Sequence, residues 1–395
     1  MGTWSAPTLE PFRARTDPPA DAVLDALERD GGVLAVHDLL ATMERWSPVP
    51  WDRLPVAARR FLDDASALPR WIEPRLLRVA EGLVLRCGHT TVAAVACASL
   101  PMRYATPGAA RVLAAGGVSE RLAMRSVAEA VGFVVDVLHR GGLARDGAGV
   151  RASVELRLRH ATLRRLLVTD PAALPAELRT PGTLGATLAS LPWNPAWGAP
   201  LNQADVALAV RSSSTGVLRA WERVGIATTD DDRAAWTHAW RVVGHLLGVE
   251  EALNPLDPVE AGTLADALFA AARGATPEGR ALTAGLHAAL ASTLGAAPLS
   301  GPSVTWFLRR LLGAATADLL DVPTEPAAAG AMVTSVARAR TALASLARPV
   351  EPRSAERQFA ELLGARLLHR IARLDRGGER VLFHLPDALR TAWDR

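Results

Sequence analysis

An all-α fold is what this chain predicts, on three observations. Helix starts recur in one chemistry, a Thr or Asp followed by Pro: Thr106-Pro107, Asp170-Pro171, Thr180-Pro181, Asp257-Pro258 and Thr276-Pro277. Proline lacks the amide hydrogen that a helix start leaves unpaired anyway, and the preceding side-chain oxygen accepts from a neighbouring amide. Between these starts run stretches of Ala, Leu, Arg and Glu, all good helix formers. Alternating β-branched runs bounded by turns, the signature of strands, are scarce.

Residues 1–17 read as a flexible arm. They hold Pro, Asp, Glu and Arg, with neither the apolar core of a signal peptide nor a twin-arginine signal, so a cytoplasmic location is expected. From Pro18 onward the pattern is helical, with helices expected at 19–29, 33–45, 55–66, 71–88, 90–99 and 107–115, the last opened by Thr106-Pro107. A helix at 119–140 ends at Gly141-Gly142, and Gly147-Ala148-Gly149 leads into one at 152–168. That glycine-rich loop lets the two lie antiparallel as a hairpin, able to wall opposite sides of a pocket. Thr180-Pro181 opens 181–190, and the Pro/Trp segment 192–200 is a loop. Further helices follow at 202–224, 229–248, 258–273, 277–294, 303–320, 326–346, 355–373 and 386–393. No polar linker divides residues 18–395, which are treated as one domain; 49% apolar residues allow a sizeable core.

Composition narrows the function. The net charge is +3, and every one of the 44 cations is Arg. Such a small excess without a clustered patch argues against nucleic acid as partner. The most apolar stretch, Thr90 to Leu100, is about half a membrane span, so no integral membrane segment is expected. Cys87 and Cys97 are too few for a disulfide framework and read as small buried hydrophobes. No Cys-x-x-Cys-His is present for covalent haem attachment. Neither a phosphate loop after a strand nor a Gly-x-Ser-x-Gly elbow appears.

The chemistry concentrates in 152–168. Arg157, His160 and Arg164 lie three and four positions apart, on one helical face, with Leu156, Leu163 and Leu167 as an apolar stripe elsewhere on the cylinder. One reading is a solvated basic face with an incidental histidine. The other is a metal-binding imidazole beside an anion site: guanidiniums disfavour protonation of the ring and offer bidentate partners to carboxylates. Spacing leaves both open.

Arg157-x-x-His160-x-x-x-Arg164 resembles a signature of the latex-clearing protein (rubber oxygenase) and MpaB oxygenase family. Ser99-Leu100-Pro101, Tyr104-Ala105 and Pro107-Gly108 resemble an earlier block of it. Pro200-Leu201-Asn202-Gln203, Trp240 to Val249, Leu311-Leu312-Gly313 and Leu319 to Pro323 resemble later ones, in order. The resemblance is strongest over residues 70–325. It implies a globin-like helical core around non-covalent haem b, with extra helices at both ends and His160 as proximal iron ligand. It also implies Arg157 and Arg164 as propionate or pocket arginines, the competing reading being surface charge or salt bridges with Glu155 or Asp170. The distal face would fall on helix 119–140, where the family carries Arg-x-x-Lys/Glu-Thr. Here Arg125-Ser126-Val127-Ala128-Glu129-Ala130 puts Ser126 for the arginine and Ala130 for the threonine, with Arg125 one position early. Glu129 is the candidate acid or base, or else an exposed helical glutamate; Arg125 is named with it as catalytic.

His238 and His245 share a face of one helix, without the repeated Glu-x-x-His of a di-iron bundle, and read as packed core histidines. Trp193, Trp197, Trp236 and Trp240 are either core bulk or apolar walls at a pocket entrance. The expected function is haem-dependent oxygenation of an apolar, isoprenoid-like substrate with dioxygen. The alternatives are a non-catalytic haem protein, sensing or carrying, and a cofactor-free helical interaction protein. Oligomeric state is not legible.

Overall fold

The structure, a computed structural model, describes residues 4–45, 49–115, 117–181, 183, 186–187, 192–295, 300–324, 330–331, 333–335 and 354–372. Among the described residues every regular element is helical, as expected. The expected helix at 386–393 lies outside them, and those at 181–190 and 326–346 lie largely outside.

Residues 4–17, expected within a flexible arm, are folded onto the rest of the protein. Helix α1, Ala6–Arg13, starts behind a Ser5–Thr8 capping box and buries Leu9 at 1% exposure. The strap after it is pinned by backbone bonds: Ala199 N donates to Arg13 O at 2.9 Å and Gln203 N to Arg15 O at 2.9 Å. The Pro- and charge-rich sequence hides this, because its partners lie nearly two hundred residues away.

Helix α2, Pro18–Arg45, merges two expected helices across a kink at Gly32, whose φ of 65° is open to glycine. After α3 (Val56–Ala65) comes the longest element, α4, Pro74–Tyr104. It passes through one π turn at Val95–Ser99, where two separate helices were expected. Thr90 and Thr91 do not break it: both hydroxyls donate back to Cys87 O, at 2.6 and 3.0 Å. At 31 residues α4 is long and apolar enough to cross a membrane by length and composition, and 78% of its most apolar window is buried inside the protein. The shorter reading of Thr90 to Leu100 understated it.

Helices α5 (Pro107–Ala114), α6 (Glu120–Leu138) and α7 (Ala148–Val168) follow. The segment expected as one helix at 202–224 breaks at Ser214 (φ −90°, ψ −88°) into α8, Gln203–Ser213, and α9, Thr215–Arg223. Next come α10 (Asp230–Leu246), α11 (Pro258–Ala272) and α12 (Pro277–Leu294). Asp257 and Thr276 cap the last two as their sequence signals predict, on Val259 and Glu260 N and on Gly279 N. A positive φ at Gly313 separates α13, Ser300–Leu312, from α14, Ala314–Leu319; α15, Ala355–Ala372, is the last described helix.

Helix α4 is the central rod, with α10 and α15 packed along it. Helix α15 approaches so closely that a Cβ on Gly364 would sit 1.9 Å from His89 O. Helices α2 and α7 pack together, as do α6 and α7 and α6 and α12. The α6–α7 hairpin, closed against one end of α4, frames the site.

Candidate active site

The glycine loop brings α6 and α7 into close contact at their joined ends. A Cβ on Gly142 would lie 2.2 Å from Asp136 O, and one on Gly149 2.5 Å from Val137 Cα. Away from this closed end the helices enclose a cavity of about 470 Å³, within the usual range for a small-molecule site. Helix α6 contributes Leu122, Ser126, Glu129, Ala130 and Phe133; α7 contributes Leu156, Arg159, His160 and Leu163. Arg103 from the end of α4 and Trp240 from α10 complete the part of the wall that matters below.

His160 borders this cavity and also a small cleft beside it. Its Nδ1 is buried with no hydrogen-bond partner. Burial holds its pKa down to about 3, helped by the positive charges of Arg103, Arg164 and Arg159. The ring is therefore neutral at any ordinary pH, as a metal ligand must be.

Arg157 and Arg164 are both held by acidic partners. Arg157 grips Asp17 with both arms, Nε to Oδ2 at 2.6 Å and Nη2 to Oδ1 at 2.7 Å. Arg164 donates to Asp21 Oδ1 at 2.7 Å and to Leu201 O at 2.9 Å. Neither lines the cavity. At 3.6 residues per turn, Leu156, Arg159 and Leu163 fall on one side of His160, while Arg157 and Arg164 fall on the other. The cavity lies on the first side. Of the two expected readings, cofactor contact or salt bridges within the bundle, the structure displays salt bridges, and their partners, Asp17 and Asp21, come from the N-terminal segment rather than being Glu155 or Asp170.

The α6 residues expected on the distal face do line the cavity. Arg125 Nε donates to Glu129 Oε1 at 3.2 Å, and Arg125 also lies 3.7 Å from Glu44. Glu44 in turn faces Arg159 at 3.0 Å. One carboxylate at the end of α2 thus links the two cavity helices. Glu129 is about one-third exposed.

Three wall residues had escaped the sequence reading. Glu155, an expected salt-bridge partner for the Arg157/Arg164 pair, instead accepts from Trp51 Nε1 at 2.8 Å and Arg151 Nε at 3.0 Å; burial raises its pKa against both. Arg159 is adjacent to His160 in sequence, so face arguments separated the two, yet a long side chain spans the gap. Arg103 sits inside the Ser99 to Gly108 block, and a lone charge among apolar neighbours was the available signal. The tryptophans divide: Trp240 lines the cavity, Trp236 is core, and Trp193 donates to Gly198 O and packs edge-on against Trp197. His238 is a buried acceptor for Glu73 N at 3.0 Å, and Trp71 packs edge-on against both His238 and His245.

Comparison with known proteins agrees with this architecture. Residues 85–350, about two thirds of the chain, match the family described as "ER-bound oxygenase mpaB/B'/Rubber oxygenase, catalytic domain". A rubber oxygenase of Streptomyces sp. (strain K30) is 26% identical over 315 residues, covering 78% of this chain and 71% of that protein. The structure of latex clearing protein LCP in the closed state superposes with a TM-score of 0.67 at 24% identity, over 95% of each chain. That structural likeness establishes a shared fold, and the sequence match goes further: this chain belongs to the ER-bound oxygenase mpaB/B'/Rubber oxygenase catalytic-domain family.

Proposed function

We propose that this protein is a haem b-dependent oxygenase of an apolar, isoprenoid-like substrate, with His160 as the iron ligand. The carrying observation is a neutral imidazole on a cavity wall with one nitrogen buried and unpartnered. Buried polar atoms are usually hydrogen-bonded, and an unpaired one beside a cavity is accounted for by a group bound there. Family membership supports the oxygenase class, and the name of the Streptomyces relative supports a polyisoprenoid-like substrate.

Bound haem iron would supply the activation of dioxygen, which no amino-acid side chain offers. The chain's contribution is holding, shape and polarity. His160 presents a lone pair that protonation does not compete for. Leu122, Phe133, Leu156, Leu163 and Trp240 give the cavity an apolar stretch of wall suited to a hydrocarbon chain, beside the charged side chains of Arg103, Arg125, Glu129 and Arg159. Glu129, held by Arg125 across one helical turn, is the carboxylate placed to hold or pass a proton.

A second reading, a haem protein without turnover, is favoured by Ser126 and Ala130, which leave the wall short of the donors the family places there. Two measurements decide. Haem-loaded wild type should show a Soret band that His160→Ala loses or shifts strongly; equal spectra reject the ligand assignment. Incubation with a polyisoprenoid under labelled dioxygen should then give labelled cleavage products. A normal Soret band without product selects the second reading.

A further inference from the structure

Three arginines line the main cavity: Arg103, Arg125 and Arg159. Arg125 is held by Glu129 and Glu44, and Arg159 by Glu44 and by Met43 O at 3.0 Å. The two arginines that flank His160 in sequence are tied to Asp17 and Asp21. Arg103 is different. Among the described residues its guanidinium makes no hydrogen bond and no ion pair, although the side chain is partly buried and lines both the cavity and its side cleft. A cation in such a place is costly without an anion beside it. The nearest candidate, Asp205, lines the side cleft with it but is beyond ion-pair distance. That carboxyl accepts from Asn202 N, and burial pushes its pKa up to about 7, so it is no dependable counter-charge at neutral pH.

We propose that Arg103 is the anchor for a carboxylate of the bound tetrapyrrole. It borders the same cavity and cleft as His160, from a different helix, so one planar ligand on His160 can reach it. A guanidinium matches a carboxylate in a two-point, charge-assisted contact. This assignment rests on the haem reading above and gives Arg103 the role the sequence pattern suggested for Arg157 and Arg164.

The test is spectrophotometric titration of the full-length apoprotein with ferric haem and, separately, with its propionate dimethyl ester. Wild type, Arg103→Gln and Arg103→Lys are compared, with circular dichroism to confirm folding. Arg103→Gln should weaken haem binding by roughly tenfold to a hundredfold, the range for losing a charge-assisted bond. It should leave the ester's affinity unchanged, and Arg103→Lys should recover part of the loss. Equal weakening toward both ligands assigns Arg103 to structure or to another ligand and overturns the anchor. Unchanged haem affinity also overturns it while leaving His160 and the haem reading intact. Failure of the wild type to bind either ligand overturns both readings together.

Discussion

His160 carries the functional argument at the scale of a single residue, and its protonation can be measured without any ligand. Burial holds its folded pKa near 3, against an ordinary value of 6.5. The unfolded chain therefore binds a proton between those limits that the folded chain refuses. Stability gained from the neutral ring is complete above about pH 6.5 and is lost as pH falls toward 3, by about 1.4 kcal/mol per pH unit in that window. His238, His245 and His287, also lowered by burial, add to the same slope. The thermal midpoint of the apoprotein should fall steadily on acidification from pH 6.5, and His160→Gln should make the decline shallower. An unchanged slope in that variant places the ring in contact with water. The histidine itself was legible as the one flanked by arginines, but its neutrality was not. That depends on Arg103 and on burial, which spacing along one helix does not report.

Between helices, the α2–α7 contact is a charged seam. Asp17 with Arg157, Asp21 with Arg164, Asp25 and Glu28 with Arg165, and Glu44 with Arg159 succeed one another along it. The first pair is the most enclosed, with both side chains under 15% exposed. Removing one partner of a buried pair strands the other charge, so Asp17→Ala should lower the unfolding free energy by about 3 kcal/mol. Urea denaturation measures that loss, and haem affinity, extrapolated to the folded fraction, should stay at the wild-type value. A specific loss of haem affinity would return Arg157 to the cofactor. The α6–α7 turn makes a second prediction. Gly142→Ala drives a methyl into Asp136 O and should cost about 2 kcal/mol or more in the same assay; a neutral result means the hairpin opens at no cost. The glycines and the antiparallel hairpin were readable because turn chemistry is local. The seam was not, because its acidic partners lie more than a hundred residues away in sequence, one of them, Asp17, in a segment that looked like a free arm.

For the whole molecule, the cavity is the feature whose filling should be felt everywhere. A ligand that binds only the folded state stabilises by mass action, about 2.7 kcal/mol at a hundred times its dissociation constant. Haem at that excess should raise the wild-type melting temperature and leave that of His160→Ala nearly unmoved. Equal shifts in both proteins would mean binding elsewhere. By itself the sequence determined the helical class, most helix starts, the hairpin and the family, and it singled out the candidate histidine. Each is encoded within one or two helical turns or in an ordered series of short blocks. Only the tertiary structure decided which side of α7 faces the cavity, since a helical wheel says who are neighbours but not which neighbours face the interior. It also joined Pro74–Tyr104 into one rod, folded the N-terminal segment onto Arg157 and Arg164, and left Arg103 beside His160 without a counter-charge. Those outcomes depend on side chains from distant parts of the chain meeting in a dry interior, where pairing and desolvation, rather than local propensity, decide the arrangement.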